Sequence, residues 1–205
     1  MKRIIIPMLL LTLLVGCSDD SDNPVGPGTP NKLIPLTIGT TLKWQHYSLN
    51  LFTGVFSLRD TVSASVKKDS VIGNETWTYI SGSTMRGLYA NRSTGFWGYD
   101  DTYGGQLFFK YPAQVNDTYM IFSNDSGSQD TLIMKVLSTN QSVTVPAGTF
   151  SCITYEGTLK SQGLTATYHV APGIGYVQVN VDAWSSKLGT MIPLDRLNLI
   201  SYTVK

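Results

Sequence analysis

Hydrophobic and polar residues alternate with a period of two along most of the chain from residue 33 onward. The clearest runs are 61–66, 132–137, 177–182 and 197–200, in which every second residue is aliphatic or alanine. Because successive side chains of a strand point to opposite faces, this period predicts strands with one buried face. No segment of ten residues shows the 3.6-residue period of an amphipathic helix. We therefore predict a single all-β domain over residues 33–205.

Turn-forming residues separate the predicted strands at 72–74, 104–105, 124–127 and 161–163. Short strands divided by such turns are typical of antiparallel sheets. The expected architecture is one strongly curved antiparallel sheet, as a half-open barrel or a sandwich. We find neither an internal repeat nor a second domain.

Two turns carry a more specific signal. Pro146 fixes φ at the first turn position and Gly148 can adopt a left-handed conformation, which predicts a three-residue hairpin loop with a glycine bulge. Pro172 followed by Gly173 is typical of a type II turn. Gly175 predicts a bulge or a close approach of two backbones.

The amino terminus has a different pattern. Lys2 and Arg3 precede an apolar run, 4–15, which is shorter than the roughly 20 residues of a membrane-spanning helix and fits a secretory signal peptide. The run ends at residues 14–17 (LVGC), which resemble the lipobox of bacterial lipoproteins. That resemblance implies cleavage after residue 16 by the lipoprotein-processing machinery. It also implies attachment of diacylglycerol and a palmitate-like acyl chain to Cys17, which would tether the protein to a membrane.

Residues 17–32 form the predicted linker. The acidic stretch 19–22 and the proline- and glycine-rich stretch 23–30 cannot bury apolar surface, so we expect disorder. Ser18, rather than aspartate, follows the cysteine and argues against retention at the inner membrane. We therefore expect sorting to the outer membrane, on its periplasmic side or at the cell surface. The acidic stretch is similar to a surface-export signal, or it is simply a solvated spacer.

The turn motifs also resemble a known group. Residues 145–150 and 168–177 are similar to a motif pair, roughly VPAGTF and APGxGxV, of uncharacterised bacterial envelope lipoproteins. The domain opening, 34–39 followed by Trp44, is similar too, whereas Tyr176 stands where an aliphatic residue is usual. The resemblance implies a strongly curved antiparallel sheet, like the half-open barrel of Lol-type lipoprotein carriers. It implies no catalytic activity.

Composition limits the possible partners. The formal net charge is +1 and only 14% of residues are charged, against roughly 25% in average soluble domains. A near-neutral chain lacks the clustered basic face that nucleic-acid binding requires. With Cys17 lipidated, Cys152 has no intramolecular partner, and we expect it to be a small buried hydrophobic residue.

Motifs for catalysis and metal binding are missing from the sequence. There is no nucleophile elbow, Ser-x-x-Lys motif, phosphate loop or dinucleotide fingerprint. His46 and His169 have no closely spaced metal-ligating neighbours, and the acidic pairs lack the spacing of a calcium loop. We predict no catalytic residues, no metal and no cofactor.

The best sequence signal for binding is an aromatic stretch between glycines. It contains Phe96, Trp97, Tyr99 and Tyr103, which could stack on a ligand if exposed. The alternative is that they pack into the core and onto one sheet face. The other three tryptophans lie in strand patterns and are expected in the core or in a cavity wall: Trp44, Trp77 and Trp184.

Three functions remain open from the sequence. The first is a membrane-anchored, non-enzymatic lipoprotein that binds an apolar ligand or an envelope component in a concave sheet. The second is a structural or assembly subunit of the cell envelope that contacts a protein partner. The third is an extracellular hydrolase. A deep apolar cavity with aromatic walls favours the first, and an exposed aromatic patch over a closed core favours the second.

Overall fold

The computed structural model describes residues 32–125 and 128–205. The signal peptide, Cys17 and most of the predicted linker lie outside the described residues. The described part contains twelve strands and one turn of 3₁₀-helix at Lys160–Gln162. No helix among these residues has the length and apolar character needed to span a bilayer. The strands are β1 Thr41–Asn50, β2 Val55–Ile72, β3 Glu75–Gly82, β4 Gly87–Arg92, β5 Gly95–Asp100, β6 Gly104–Lys110, β7 Thr118–Asp125, β8 Ser128–Val145, β9 Gly148–Leu159, β10 Leu164–Ala171, β11 Gly175–Ser185 and β12 Thr190–Thr203.

All twelve strands belong to one antiparallel sheet, which confirms the predicted fold class. The order is β6-β5-β4-β3-β2-β1-β12-β11-β10-β9-β8-β7. Two six-strand meanders, β1–β6 and β7–β12, are therefore joined by the pairing of β1 with β12, from Thr41↔Thr203 to Ser48↔Asp195. The sheet curls until its edge strands β6 and β7 meet, so it is closer to a closed barrel than to a half-open one.

Side chains rather than a backbone ladder close the seam between β6 and β7. The Gln106 side-chain amide donates to the Phe122 carbonyl (2.8 Å) and accepts from the Phe122 N–H (2.6 Å). The Tyr119 hydroxyl donates to the Phe108 carbonyl (2.9 Å) and accepts from the Lys110 N–H (3.2 Å). Because these groups satisfy backbone atoms on two sheet edges, they also limit edge-to-edge pairing with other chains.

We expect Gln106→Leu to loosen this seam while the rest of the barrel remains folded. The substitution removes both hydrogen bonds to Phe122, and one net hydrogen bond contributes about 1 kcal/mol. Native-state hydrogen exchange should therefore show up to about tenfold faster exchange of the Phe122 amide. Gln178→Leu is the matched control, because Gln178 bonds a side chain, Asn198 (2.9 Å), between backbone-paired strands. Unchanged exchange at Phe122 in Gln106→Leu would contradict the proposed role of the amide.

The first described residues close one end of the barrel. Leu33 and Ile34 are fully buried, and the Gly173 N–H donates to the carbonyls of Lys32 (3.0 Å) and Leu33 (3.1 Å). Gly175 has φ +108°, and a Cβ there would lie 3.4 Å from the Ile34 side chain. The chain therefore enters the barrel at the β10–β11 turn, at the end from which β1 starts.

The β8–β9 loop and the β10–β11 turn, both predicted from the sequence, have distinct geometries. Val145 pairs with Gly148, so the β8–β9 loop contains two residues, Pro146 and Ala147, rather than the expected three. In the β10–β11 turn, the Ile174 N–H donates to the Ala171 carbonyl (3.0 Å) and Gly173 has φ +81°. That combination of hydrogen bond and left-handed glycine, with Pro172 at the preceding position, is the geometry of a type II turn.

The alternating residues fill the interior. Trp44 and Trp77 are buried, and the Trp44 indole N–H donates to the Tyr176 carbonyl (2.9 Å) from inside the barrel. The expectation for Trp184 is wrong, because this side chain is 56% exposed near the end of β11. There the strand extends past the layer of core residues, so the period of two no longer marks a buried face.

Candidate functional site

The barrel interior contains an apolar cavity of about 220 Å³, which we call the inner chamber. A sheet of twelve strands encloses more space than the eight strands that side chains alone can fill. The walls combine aromatic and aliphatic side chains from seven strands with one residue of the β3–β4 loop. They are Thr84, Tyr89, Phe108, Phe109, Ile121, Leu132, Met134, Tyr168, Tyr176, Val179 and Leu197.

Several tyrosine hydroxyls bring polarity into the inner chamber. Burial raises the pKa of Tyr89 to about 12 and raises the pKa values of Tyr168 and Tyr176 above their usual range. All three side chains are therefore neutral at physiological pH. Tyr176 is only 9% exposed and lies in the wall of the chamber. A tyrosine in a cavity wall combines an apolar ring with a hydroxyl that can hydrogen-bond a bound molecule.

A second cavity of about 300 Å³, with charged residues in its wall, adjoins the first, and we call it the outer chamber. The two chambers share Thr84, Val179 and Leu197 in their walls. The Thr84 hydroxyl is inaccessible and has no hydrogen-bond partner among the described residues. The remaining wall of the outer chamber consists of His46, Arg59, Asp60, Val62, Ser83, Val181 and Asp195. The chambers therefore meet at Thr84, Val179 and Leu197, with an apolar chamber on one side and, on the other, the charged residues that we call the mouth.

A histidine between two aspartates dominates the mouth. His46 Nδ1 lies 2.9 Å from Asp60 Oδ1, and Nε2 lies 2.9 Å from Asp195 Oδ1. The imidazole side chain is 17% exposed, whereas the two carboxylate side chains are about half exposed. Because both ring nitrogens contact carboxylates, His46 offers no free nitrogen to activate a serine or cysteine nucleophile.

Two irregularities in strand pairing place these aspartates. His46 pairs with Asp60 but Tyr47 pairs with Leu58, so Arg59 is an extra residue on β2. On β12, Val181 pairs with Asp195 but Asp182 pairs with Pro193, which leaves an extra residue directly before Asp195. A bulge redirects the side chains beside it and is frequent next to functional sites. Both aspartates therefore follow a bulge at the mouth of the cavity.

These three residues are far apart along the chain, which explains why the sequence pattern did not predict the mouth. His46 is 14 residues from Asp60 and 149 residues from Asp195. Only the β1–β2 and β1–β12 pairings bring the three side chains together. The available local signal was Pro193 inside a strand pattern, because proline within a sheet favours an edge or a bulge.

Two other side chains that could be reactive, Cys152 and His169, lie outside the walls of both chambers. Burial raises the pKa of Cys152 to about 12, so its thiol is protonated and a poor nucleophile. His169 Nδ1 lies 3.1 Å from the Thr154 hydroxyl, which itself donates to Gln141 Oε1 (2.7 Å), and burial lowers the pKa of His169. Among the described residues, no group of three or more His, Cys, Asp or Glu side chains is arranged to hold a metal.

The aromatic residues singled out in the sequence lie outside both chambers. Phe96 is buried and stacks on Tyr89 (5.0 Å between ring centroids). Trp97 packs under the Arg92 guanidinium (4.2 Å), and the other two, Tyr99 and Tyr103, pack against neighbouring aromatic rings. These contacts match the alternative of core and sheet-face packing. A role for Phe96, Trp97, Tyr99 and Tyr103 in binding stays a prediction.

Comparison with known proteins gives distant structural matches. No known family model and no curated protein matches this chain. A chain described as a lipoprotein from Parabacteroides distasonis is 12% identical, with a TM-score of 0.43, and the match covers 85% of this chain and 100% of that one. An exported protein with a YmcC-like fold from Bacteroides fragilis is 11% identical, with a TM-score of 0.47, and the match covers 84% and 99%. At this level the similarity concerns the course of the chain alone.

Proposed function

We propose that this protein is a lipid-anchored, non-enzymatic component of the bacterial cell envelope that binds an apolar molecule inside its barrel. The observation that carries the proposal is the inner chamber, which is apolar, aromatic-walled and adjacent to the outer chamber. Its volume of about 220 Å³ exceeds the roughly 150 Å³ of an engineered cavity that binds benzene. With the outer chamber, the site reaches the size range of small-molecule pockets, roughly 300–1,000 Å³.

The direction in which the site opens supports this proposal. The described chain begins at Lys32 beside the β10–β11 turn, where β1 starts, whereas His46 and the outer chamber lie further along β1. The predicted lipid anchor at Cys17 therefore joins the closed end of the barrel. With the mouth at the other end, a tethered barrel can receive its ligand from the side facing away from its own anchor. A relationship to Lol-type carriers stays a prediction.

We expect Val179→Phe to block the site. Val179 is buried in the wall shared by both chambers, so a phenyl ring there fills the passage between them. Octanol, which has an apolar chain and a neutral head, should bind the mature chain 17–205 carrying Cys17→Ser, a form that needs no detergent. Isothermal titration calorimetry should show at least tenfold weaker octanol binding after Val179→Phe.

Val71→Phe is the matched control, because Val71 is 71% exposed and lies outside both chambers. It should leave octanol binding and the melting temperature unchanged. Thermal unfolding of Val179→Phe shows whether the variant remains folded, since overpacking a core costs about 1–3 kcal/mol. If a folded Val179→Phe protein binds octanol as tightly as its parent, the cavity is not the binding site.

A specific observation favours the assembly role as a second candidate. The β1–β2 hairpin tip carries Leu51 and Phe52, and the β11–β12 tip carries Leu188, all strongly exposed. Because β1 and β12 are antiparallel neighbours, both tips lie at the mouth end of the barrel. Exposed apolar residues grouped at one end are typical of protein contact surfaces. Absence of octanol binding, together with a specific protein crosslink from position 52 in cells, would favour this function over ligand binding.

A further inference from the structure

The carboxylates at the mouth are only partly used by the protein. Asp60 and Asp195 each direct Oδ1 to His46, and among the described residues neither Oδ2 has a hydrogen-bond partner. Carboxylate oxygens are acceptors only when ionised, so a molecule that uses them must bring donors. The mouth therefore presents two acceptor groups fixed in position by one imidazole.

The inner chamber gives independent evidence that a molecule extends inward from this point. The Thr84 hydroxyl is buried and has no hydrogen-bond partner among the described residues, and Thr84 lies in the walls of both chambers. Unsatisfied buried hydroxyls are uncommon in native proteins. An occupant with an apolar chain would fill the inner chamber and bring its polar linkage close to Thr84.

We infer that the ligand is a cationic amphiphile, with its apolar chain in the inner chamber and a protonated amine that donates to the free Oδ2 of Asp60 or Asp195, beside His46. An ammonium group carries three donors and a compact positive charge, which suits two carboxylates with free oxygens. This inference rests on the proposed function, because it names the chemical class of ligand for the same cavity.

Arg59 and, when both of its ring nitrogens carry protons, His46 are the groups at the mouth that argue for the opposite charge. Arg59 is exposed and also lines a groove at the β1–β2 hairpin, with Ser48 and Phe52. The aspartates are instead held toward the chamber by their contacts with His46. An anionic head would place its charge beside both carboxylates, so we expect repulsion to outweigh attraction to Arg59.

Three ligands with the same eight-carbon chain test the inference. The affinities of octylamine, octanol and octanoate for the mature Cys17→Ser chain are measured by calorimetry at neutral pH. We expect octylamine to bind about tenfold more tightly than octanol, since two partly exposed carboxylates face its head, and octanoate to bind most weakly. Asp60→Asn and Asp195→Asn should each lower the ratio of octylamine affinity to octanol affinity.

Asp101→Asn is the matched control, because it removes the same charge from an exposed position outside both chambers. It should keep the full preference for octylamine. Equal binding of octylamine and octanol by the unsubstituted site, or tighter binding of octanoate that Arg59→Gln abolishes, would overturn the inference while the proposed function stands. Failure of all three ligands to bind would overturn both. The comparison of octylamine, octanol and octanoate uses the unsubstituted site, so it does not depend on the folding of any variant.

Discussion

Cys17→Ser is expected to move this protein entirely from the membrane to the soluble fraction. Serine has no thiol to accept diacylglycerol, so the predicted lipid anchor is lost. A single acyl chain gives only marginal membrane binding, whereas the several chains of a processed lipoprotein cysteine hold stably. Fractionation of cells that express the full-length variant, followed by a high-salt wash of the membranes, measures the change.

Cys152→Ser is the matched control for the anchor. Cys152 is buried in the barrel, so its loss removes a thiol without changing any group that reaches the membrane. This variant should remain membrane-bound, and intact-mass analysis should find lipid on Cys17. If Cys17→Ser stays with the membrane after the salt wash, the lipoprotein prediction is wrong. The exposed hairpin tips at residues 51–52 and 188 would then be the first alternative to examine for membrane attachment.

The period of two was sufficient to predict the strands. In 61–66, Ala64 and Val66 are buried while Thr61 and Ser63 are exposed, and in 177–182 Val177 and Val179 are buried. These segments follow the pattern because each has one face toward the barrel interior and one toward solvent. Closure was harder to predict, because the β1–β12 pairing joins residues at opposite ends of the domain. Gln106 and Tyr119, which close the seam, have no local pattern that distinguishes them.

The existence of a cavity could be predicted from the sequence, but the residues in its wall could not. A curved sheet implied a concave interior, but the sequence directed attention to Phe96, Trp97, Tyr99 and Tyr103, which lie outside the chambers. A high density of aromatic residues along the chain does not indicate which face of a strand they occupy. Tyr176, which does lie in the wall of the inner chamber, belongs to a predicted strand whose pattern does not distinguish a cavity wall from a filled core.

Phe109→Ala is expected to destabilise the barrel by about 3–5 kcal/mol. Phe109 lies on the edge strand β6 and is fully buried. Its ring packs against Tyr155 of β9 (4.8 Å), Tyr168 of β10 (5.4 Å) and Tyr176 of β11 (5.5 Å). The side chain therefore ties one sheet edge to three strands of the other meander. Its removal leaves a cavity in that contact, beside a seam that has no backbone ladder.

Urea unfolding of Phe109→Ala, compared with the parent, measures this loss from the shift in midpoint at constant slope. A stability of about 5–15 kcal/mol is usual for a domain, so the variant should unfold at a much lower urea concentration. Phe52→Ala is the matched control, because Phe52 is fully exposed on the β1–β2 hairpin and should change stability by less than about 0.5 kcal/mol. Equal midpoints for the two variants would show that β6 does not hold the meanders together. A large shift for Phe109→Ala alone means that aromatic packing across the interior, more than the hydrogen bonds of the seam, keeps the barrel closed.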